Sequence, residues 1–140
     1  MLSVYPAIFY KEENGYSVIF PDLNHLATCG DTLEEAMAMA VDCLAGYLYS
    51  AKLDHEDVPA PSKLNDVDPV AVAKELETDP GEYFVNFVSV DVEDYAKLHF
   101  SKSVKKTLSI PEWLNREAIS KNINFSQVLQ EALIAKLHSQ

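Results

Sequence analysis

The stretch VKKTLSIP, residues 104–111, decides how the C-terminal part of this chain folds. Its β-branched and apolar residues ending in proline predict a short strand, Val104 to Ile110. Successive strand side chains point to opposite faces, so Lys105, Thr107 and Ser109 share one face and Leu108 and Ile110 the other. Pro111 suits the first turn of a helix, expected from about Glu112 to Lys121, on which Leu114 and Ala118 lie four apart with Ile119 beside them. The NINFS stretch, residues 122–126, breaks that helix. Ser126 is the expected cap of a second helix through Leu137, with Val128, Leu129, Ala132, Leu133 and Leu137 as its apolar stripe. A single strand cannot stand alone, so this one pairs either with another strand of the chain or with its copy in a second chain. The second arrangement makes a two-stranded ribbon that fits a DNA major groove.

Charge divides the chain at nearly the same place. Residues 1–101 carry five basic side chains against 19 acidic ones, a net of −14, whereas residues 102–140 carry six against three, a net of +3. An acidic front joined to a basic tail suggests two modules with oppositely charged partners. With 140 residues, 48% hydrophobic and 24% charged, the chain has room for one medium or two small globular domains. No apolar run approaches the ~20 residues that a membrane span needs. The first residues carry neither a basic n-region nor an apolar h-region, so the expectation is a cytoplasmic protein without a signal peptide. Cys29 and Cys43 stand 14 positions apart without further ligands at metal-binding spacing, and read as small buried hydrophobes. The four histidines are scattered, so neither a metal site nor a cofactor is expected.

In the front part, Leu2 to Tyr10 reads as a strand in which Pro6 argues for an edge position or a bulge. Asn14-Gly15 reads as a tight type I′ turn, Tyr16 to Phe20 as the returning strand, and Leu26 to Cys29 as a third, giving a meander. Thr32 and Glu35 have capping-box spacing. They open a helix expected to reach about Leu53, with Leu33, Met37, Ala40, Val41, Leu44, Leu48 and Ala51 on one face. Asp54 to Asp68 is a proline-bearing acidic loop. Asp68-Pro69 starts a short helix to about Glu77, and Asp79-Pro80-Gly81 is a turn. The apolar run Tyr83 to Val92 reads as a central strand covered on much of both faces. Glu93 to Ser103 turns polar. The fold class expected is α+β, with a front domain over residues 1–97 built as a β-meander sheet backed by a long helix, a linker over 98–103, and a strand-helix-helix module over 104–140.

The tail's run KKTLSIPEWL, followed by N-x-S-x-x-L-x-x-A-L, resembles the ribbon-helix-helix family that includes the Arc and MetJ repressors. By position, the resemblance implies that Lys105, Thr107 and Ser109 read base edges and that Asn124 and Ser126 hold a backbone phosphate. Lys106 departs from the pattern, since it lies on the inward face where an apolar residue is usual. The front runs YPAIFYKEENGYSVIFPDL (residues 5–23) and GDTLEEA (residues 30–36) resemble the HicB antitoxin family. That resemblance implies a partial, inactive ribonuclease-H-like front domain which covers HicA, a small basic ribonuclease toxin. It also implies a tail that represses the operon encoding both proteins.

A −14 surface complements a basic RNA-cleaving partner. The candidate toxin contacts are Asp22, Glu34, Glu35 and Asp42, with the acids of the 54–68 loop as further phosphate mimics. Each of these acids also has a plain reading as a solvated surface group or a turn residue. Two other readings stay open: a metal-dependent nuclease of the ribonuclease-H type, and a ribbon-helix-helix regulator with a sensor domain unrelated to toxins. The nuclease needs carboxylates converging on metal ions, one of them from the middle of the first strand. Leu2 to Tyr10 contains none, so no catalytic residue is assigned. The expected partners are a HicA-like toxin, operator DNA and a second copy of the chain through its C-terminal module, with a tetramer left open.

Overall fold

Leu2–Glu12 forms β1, an 11-residue strand in which the six residues from Tyr5 to Tyr10 are all buried. The computed structural model describes residues 1–139, and the chain divides into two compact units, Met1–Lys102 and Ser103–Gln140. In the first unit β2 (Gly15–Phe20) returns antiparallel to β1, β3 (Leu26–Gly30) pairs with β2, and β4 (Tyr83–Asp91) pairs antiparallel with the other side of β1. The sheet order is therefore β3-β2-β1-β4. The expected meander is present, but the expected position of the apolar run 83–92 is not. β4 is an outer strand, with Tyr83 and Phe87 exposed, and β1 is the one buried on both faces. Hydrophobic content alone does not distinguish an inner strand from an outer one.

Pro6 consequently sits in neither an edge strand nor a bulge, because the β1–β4 register runs unbroken from Leu2↔Asp91 to Tyr10↔Tyr83. The reason it is tolerated is geometric. Lys11 N–H donates to the Glu82 carbonyl at 2.8 Å, so odd-numbered residues of β1 turn their backbone groups toward β4 and even-numbered ones toward β2. On the β2 side the ladder begins only at Ile8↔Ile19. The N–H that Pro6 lacks would have pointed beyond the end of β2.

The hairpin turn also differs from expectation. Glu12 pairs with Gly15, leaving Glu13 and Asn14 as the connecting residues, and neither has positive φ. The left-handed backbone falls on Gly15 instead, at φ 109°. A Cβ there would lie 2.1 Å from the Gly30 carbonyl oxygen, so glycine is required for close approach as well as for φ.

Helix α1 (Leu33–Leu53) covers one sheet face. Thr32 Oγ1 accepts from Glu35 N–H at 3.1 Å, while the Glu35 carboxylate accepts from Asp31 N–H at 3.3 Å, one residue earlier than in the usual reciprocal box. Ala36, Ala40, Leu44, Ala45 and Leu48 pack on Tyr5, Ala7, Phe9, Val18, Phe20, Val88 and Val90. Phe9 stacks on Phe84 with centroids 4.7 Å apart. Helix α2 (Pro69–Glu75), capped by Asp68, covers the other face by packing Val72 and Ala73 on Ile8, Tyr10 and Ile19. The odd and even residues of β1 thus enter two separate cores.

Residues 92–99, read as polar from sequence, form a further helix, α3 (Val92–His99). Asp91 caps it by accepting from Asp94 N–H, and Tyr95 and Phe100 pack against the α1 core. In the second unit, α4 (Glu112–Ser120) and α5 (Phe125–His138) flank a turn in which Asn122 has φ 55°. α5 is capped by Asn124 rather than Ser126: Asn124 Oδ1 accepts from Gln127 N–H at 3.1 Å, and Ser126 Oγ accepts from the Gln130 amide at 3.2 Å. Residues 101–111 form neither helix nor strand in the single chain.

Candidate functional site

The loop from α1 to α2 carries much of the front unit's acid, and buried strand residues tie it down. Tyr5 donates its hydroxyl to the Pro59 carbonyl at 2.6 Å, and Tyr10 donates to the Pro69 carbonyl at 2.7 Å. Burial pushes both phenols up, with the charge of Asp22 adding to the effect at Tyr5 and the neighbouring Tyr83 at Tyr10. Asp22, in the 3-10 turn after β2, accepts from Ser62 N–H at 2.8 Å and from Ser62 Oγ at 2.6 Å. The loop is thus pinned at three places, which holds Asp54, Glu56, Asp57 and Asp66 at the surface on a fixed backbone. The tyrosines could not be read as anchors from the sequence, because their donors serve carbonyls more than 50 residues away.

The four acids singled out from sequence occupy different settings. Asp22 is half-buried and committed to Ser62. Glu35 is exposed and committed to the start of α1, where Glu34 stands beside it, exposed and in the first turn. Asp42 lies farther along α1, half-buried, and its Oδ1 accepts from the Tyr95 hydroxyl at 2.8 Å. Loss of hydration raises the Tyr95 phenol, and the bond to Asp42 raises it further. Three of the four therefore have intramolecular partners, and Glu34 is the one with its carboxylate uncommitted among the described hydrogen bonds.

Carboxylates do not converge in a way that suggests metal chemistry. Among the described residues no group of three or more His, Cys, Asp or Glu side chains is placed to hold a metal ion. β1 runs two residues past Tyr10 and so ends in one carboxylate, but Glu12 lies at the strand's exposed end, accepting from Ser17 Oγ at 2.9 Å. Cys29 is exposed and Cys43 half-buried, so neither is the fully buried hydrophobe the sequence suggested. Burial raises the Cys43 thiol, with Asp42 adding to it. No helix among the described residues is long and apolar enough to cross a membrane.

In the second unit Lys105, Thr107 and Ser109 lie in the exposed 101–111 segment, ahead of α4. Asn124 and Ser126 sit together at the exposed N-terminal turn of α5. The apolar residues of this unit are not covered within one chain. Ala118 is its one buried residue among those described, whereas Leu108 is 63% exposed, Trp113 61% and Leu133 54%. Leu129 alone of the expected α5 stripe is half-buried.

Residues 5–137 match the family model described as the HicB-like antitoxin of bacterial toxin-antitoxin systems. Fold and motif order together define the class, and the chain belongs to the HicB-like antitoxin family. Over 58 residues it is 43% identical to Antitoxin HicB 2 of Photorhabdus laumondii subsp. laumondii, a match spanning 41% of this chain and 42% of that protein. The chain is also similar to a chain of a solved toxin-antitoxin complex from Streptococcus pneumoniae. That likeness has 32% identity and a TM-score of 0.64, and covers 97% of this chain and 99% of the other. A chain of the HicA3 and HicB3 toxin-antitoxin complex shares the fold, with a TM-score of 0.50, 20% identity and 64% of this chain covered.

Proposed function

We propose that this antitoxin neutralises a HicA-like, mRNA-cleaving toxin by covering its active site with the front unit, and represses its own operon through the tail. The observation that carries the second half is the unburied apolar surface of the tail. An irregular segment and two helices that bury one alanine have no core of their own, and most of a helix's stability comes from packing its apolar face. Pairing two copies of residues 104–110 and interleaving their helices supplies that core. Leu108 and Ile110 would then face inward, and Lys105, Thr107 and Ser109 would line the outer face of the ribbon, within reach of base edges. Asn124 and Ser126 at the start of α5 fit a phosphate contact, since backbone N–H groups are free there.

For the front unit, support comes from its −14 charge, presented in part on a pinned loop, and from the toxin-antitoxin complex that shares the whole fold. A fixed array of carboxylates loses little freedom on binding a cationic surface, and it speeds encounter with one. Covering, rather than catalysis, also accords with a first strand whose buried stretch holds no carboxylate. In this reading the domain division follows the charge: residues up to the loop before Val104 bind toxin, and the remainder binds DNA and dimerises in the cytoplasm.

The test separates the two halves. Lys105→Ala combined with Thr107→Ala should weaken operator binding by roughly 100-fold or more, since one good base contact is worth about 1–3 kcal/mol and a dimer loses each contact twice. The same protein should still block RNA cleavage by the toxin. Unchanged operator affinity refutes the base-reading assignment; lost neutralisation refutes the division of labour.

A further inference from the structure

We infer that the end of α3 and the residues just after it, Lys97 and Lys102 with Ser101 between them, bind the phosphate backbone of the duplex that the tail reads. The front unit then carries a DNA contact of its own, ahead of the ribbon. This inference rests on the DNA-binding role proposed for the tail, and it moves the start of the DNA surface into the first unit.

Acid stops abruptly at α3. All 19 acidic residues of 1–101 lie before residue 95, whereas residues 95–111 hold no Asp or Glu and four lysines, Lys97, Lys102, Lys105 and Lys106. The helix itself is polarised, with Glu93 and Asp94 in its first turn and Lys97 and His99 in its last. A cation at a helix C-terminus offsets the helix dipole, which accounts for Lys97. It does not account for Lys102, which lies beyond the helix, or for the loss of every acid that would pair with these lysines. Both are exposed, and no ion pair among the described residues includes either.

The backbone holds this group in place. Ala96 is buried, and Tyr95 and Phe100 pack against the α1 core, so the helix end is fixed. The Ala96 carbonyl accepts from Phe100 N–H and from Ser101 N–H, at 2.9 Å each, which turns the chain back over the end of α3. Lys97 and Ser101 therefore line one open groove, together with Lys52 and His55. Glu93, the acid on that groove, is held by Lys52 at 2.9 Å. An uncommitted ammonium and a hydroxyl remain, and both are donors suited to a phosphate oxygen.

Reach and charge select the ligand. Lys102 stands three residues before Lys105, so at most about 10–11 Å of chain separates it from a base-reading residue. Duplex DNA carries one charge per ~1.7 Å of its axis, so phosphates flank whatever bases Lys105 meets. The acids of the first unit repel DNA, but beyond about 8 Å salt screens them, while a lysine in contact with a phosphate keeps its attraction. A basic toxin is repelled by the same lysines and has acids elsewhere to bind.

The experiment measures binding of the full chain to operator and to unrelated duplex between about 50 and 200 mM salt. Each neutralised phosphate contributes about 0.9 to the slope of log affinity against log salt, and a dimer carries each lysine twice. Lys97→Gln with Lys102→Gln should therefore flatten the slope by roughly 3 to 4, and should weaken both duplexes by the same factor, because phosphates carry no sequence. Lys97→Arg with Lys102→Arg keeps both charges and should keep the wild-type slope. If the glutamine pair fails to fold, Lys102→Gln alone, outside any helix, decides by a flattening of about 2. An unchanged slope in the glutamine protein overturns the inference. So does a slope flattened equally in the arginine protein, or a glutamine protein that keeps its DNA slope and loses affinity for single-stranded RNA instead. Wild type that binds neither duplex refutes the DNA-reading tail as well, whereas operator binding with an unaltered slope in the variant refutes this contact alone.

Discussion

Asp22 is the residue whose substitution best separates a structural role from a partner contact. Its carboxylate accepts two hydrogen bonds from Ser62, at 2.8 and 2.6 Å, in a half-buried setting. Hydrogen bonds to charged groups contribute about 1.5–3 kcal/mol each when well formed. Partial exposure lowers that, because water replaces some of what is lost. Asp22→Ala should therefore cost about 1–3 kcal/mol. Ser62→Ala removes only the hydroxyl bond and leaves the backbone one, so it should cost roughly 1 kcal/mol. With a urea m-value of about 1–3 kcal/mol per molar, the Asp22→Ala midpoint should fall by about 1 M at fixed protein concentration. The double variant should be less destabilised than the sum of the two, by on the order of 0.5–1 kcal/mol, since both act on one contact. Releasing the anchor should also speed proteolysis within residues 54–68, because a loop held by fewer bonds opens more often. If Asp22→Ala leaves the urea midpoint and the cleavage rate unchanged but lowers affinity for the toxin, the anchoring argument is wrong and the carboxylate belongs to the partner surface.

Three further outcomes follow from the same geometry. Phe9→Ala, which empties a fully buried site and removes the stack on Phe84, should cost about 3–5 kcal/mol by thermal or urea unfolding. Gly15→Ala should destabilise the hairpin, since the added Cβ meets the Gly30 carbonyl and φ stays positive; a stability equal to wild type would show that the turn rearranges freely. Tyr5 and Tyr10 have phenols raised above their unfolded values, so the folded chain holds those protons more tightly and their contribution is complete below pH ~10. Stability should then fall as the pH rises past that point, and the fall should be smaller in a Tyr5→Phe, Tyr10→Phe protein, as read by urea midpoints across an alkaline series.

What could be read from the sequence was the local chemistry. The Thr32 cap, the length of α1 and the Asp68-Pro69 start of α2 all rest on side chains acting within four residues of themselves, and each formed where expected. Misreadings came where a distant partner decides the outcome. The run Tyr83 to Val92 is apolar enough to be central, yet β1 holds that position because it pairs on both edges, with β2 and with β4, while β4 pairs only with β1. Pro6 argued for an edge, and only the point at which β2 stops explains why an inner strand accepts it. α3 was missed because its helical signal is an aspartate cap followed by mixed polar residues, with Tyr95 and Phe100 finding their core on a helix some fifty residues earlier. At the start of α5, Asn124 and Ser126 are both good caps, and the backbone chose the earlier one. Among the candidate site residues, the alternation of 104–110 suggested a strand with one apolar face covered, but in the single chain these residues form no strand and are exposed on both sides, because any partner strand would have to come from outside the chain. The anchoring of Asp22 and Asp42 was not legible, because Ser62 and Tyr95 are 40 and 53 residues away.

The claim on which the regulatory reading rests is that residues 104–110 of two chains lie side by side. A spin label at Thr107, the midpoint of that segment, reports it directly in the full chain with Cys29 and Cys43 replaced by serine. Antiparallel pairing about the midpoint puts the two Thr107 Cα atoms about 4.5–5.5 Å apart. The spectrum should be strongly broadened by dipolar coupling and should sharpen when labelled protein is diluted with unlabelled protein before refolding. A sharp spectrum that dilution does not change would place the two segments far apart, and the ribbon, the shared core and the DNA-reading face would be refuted together.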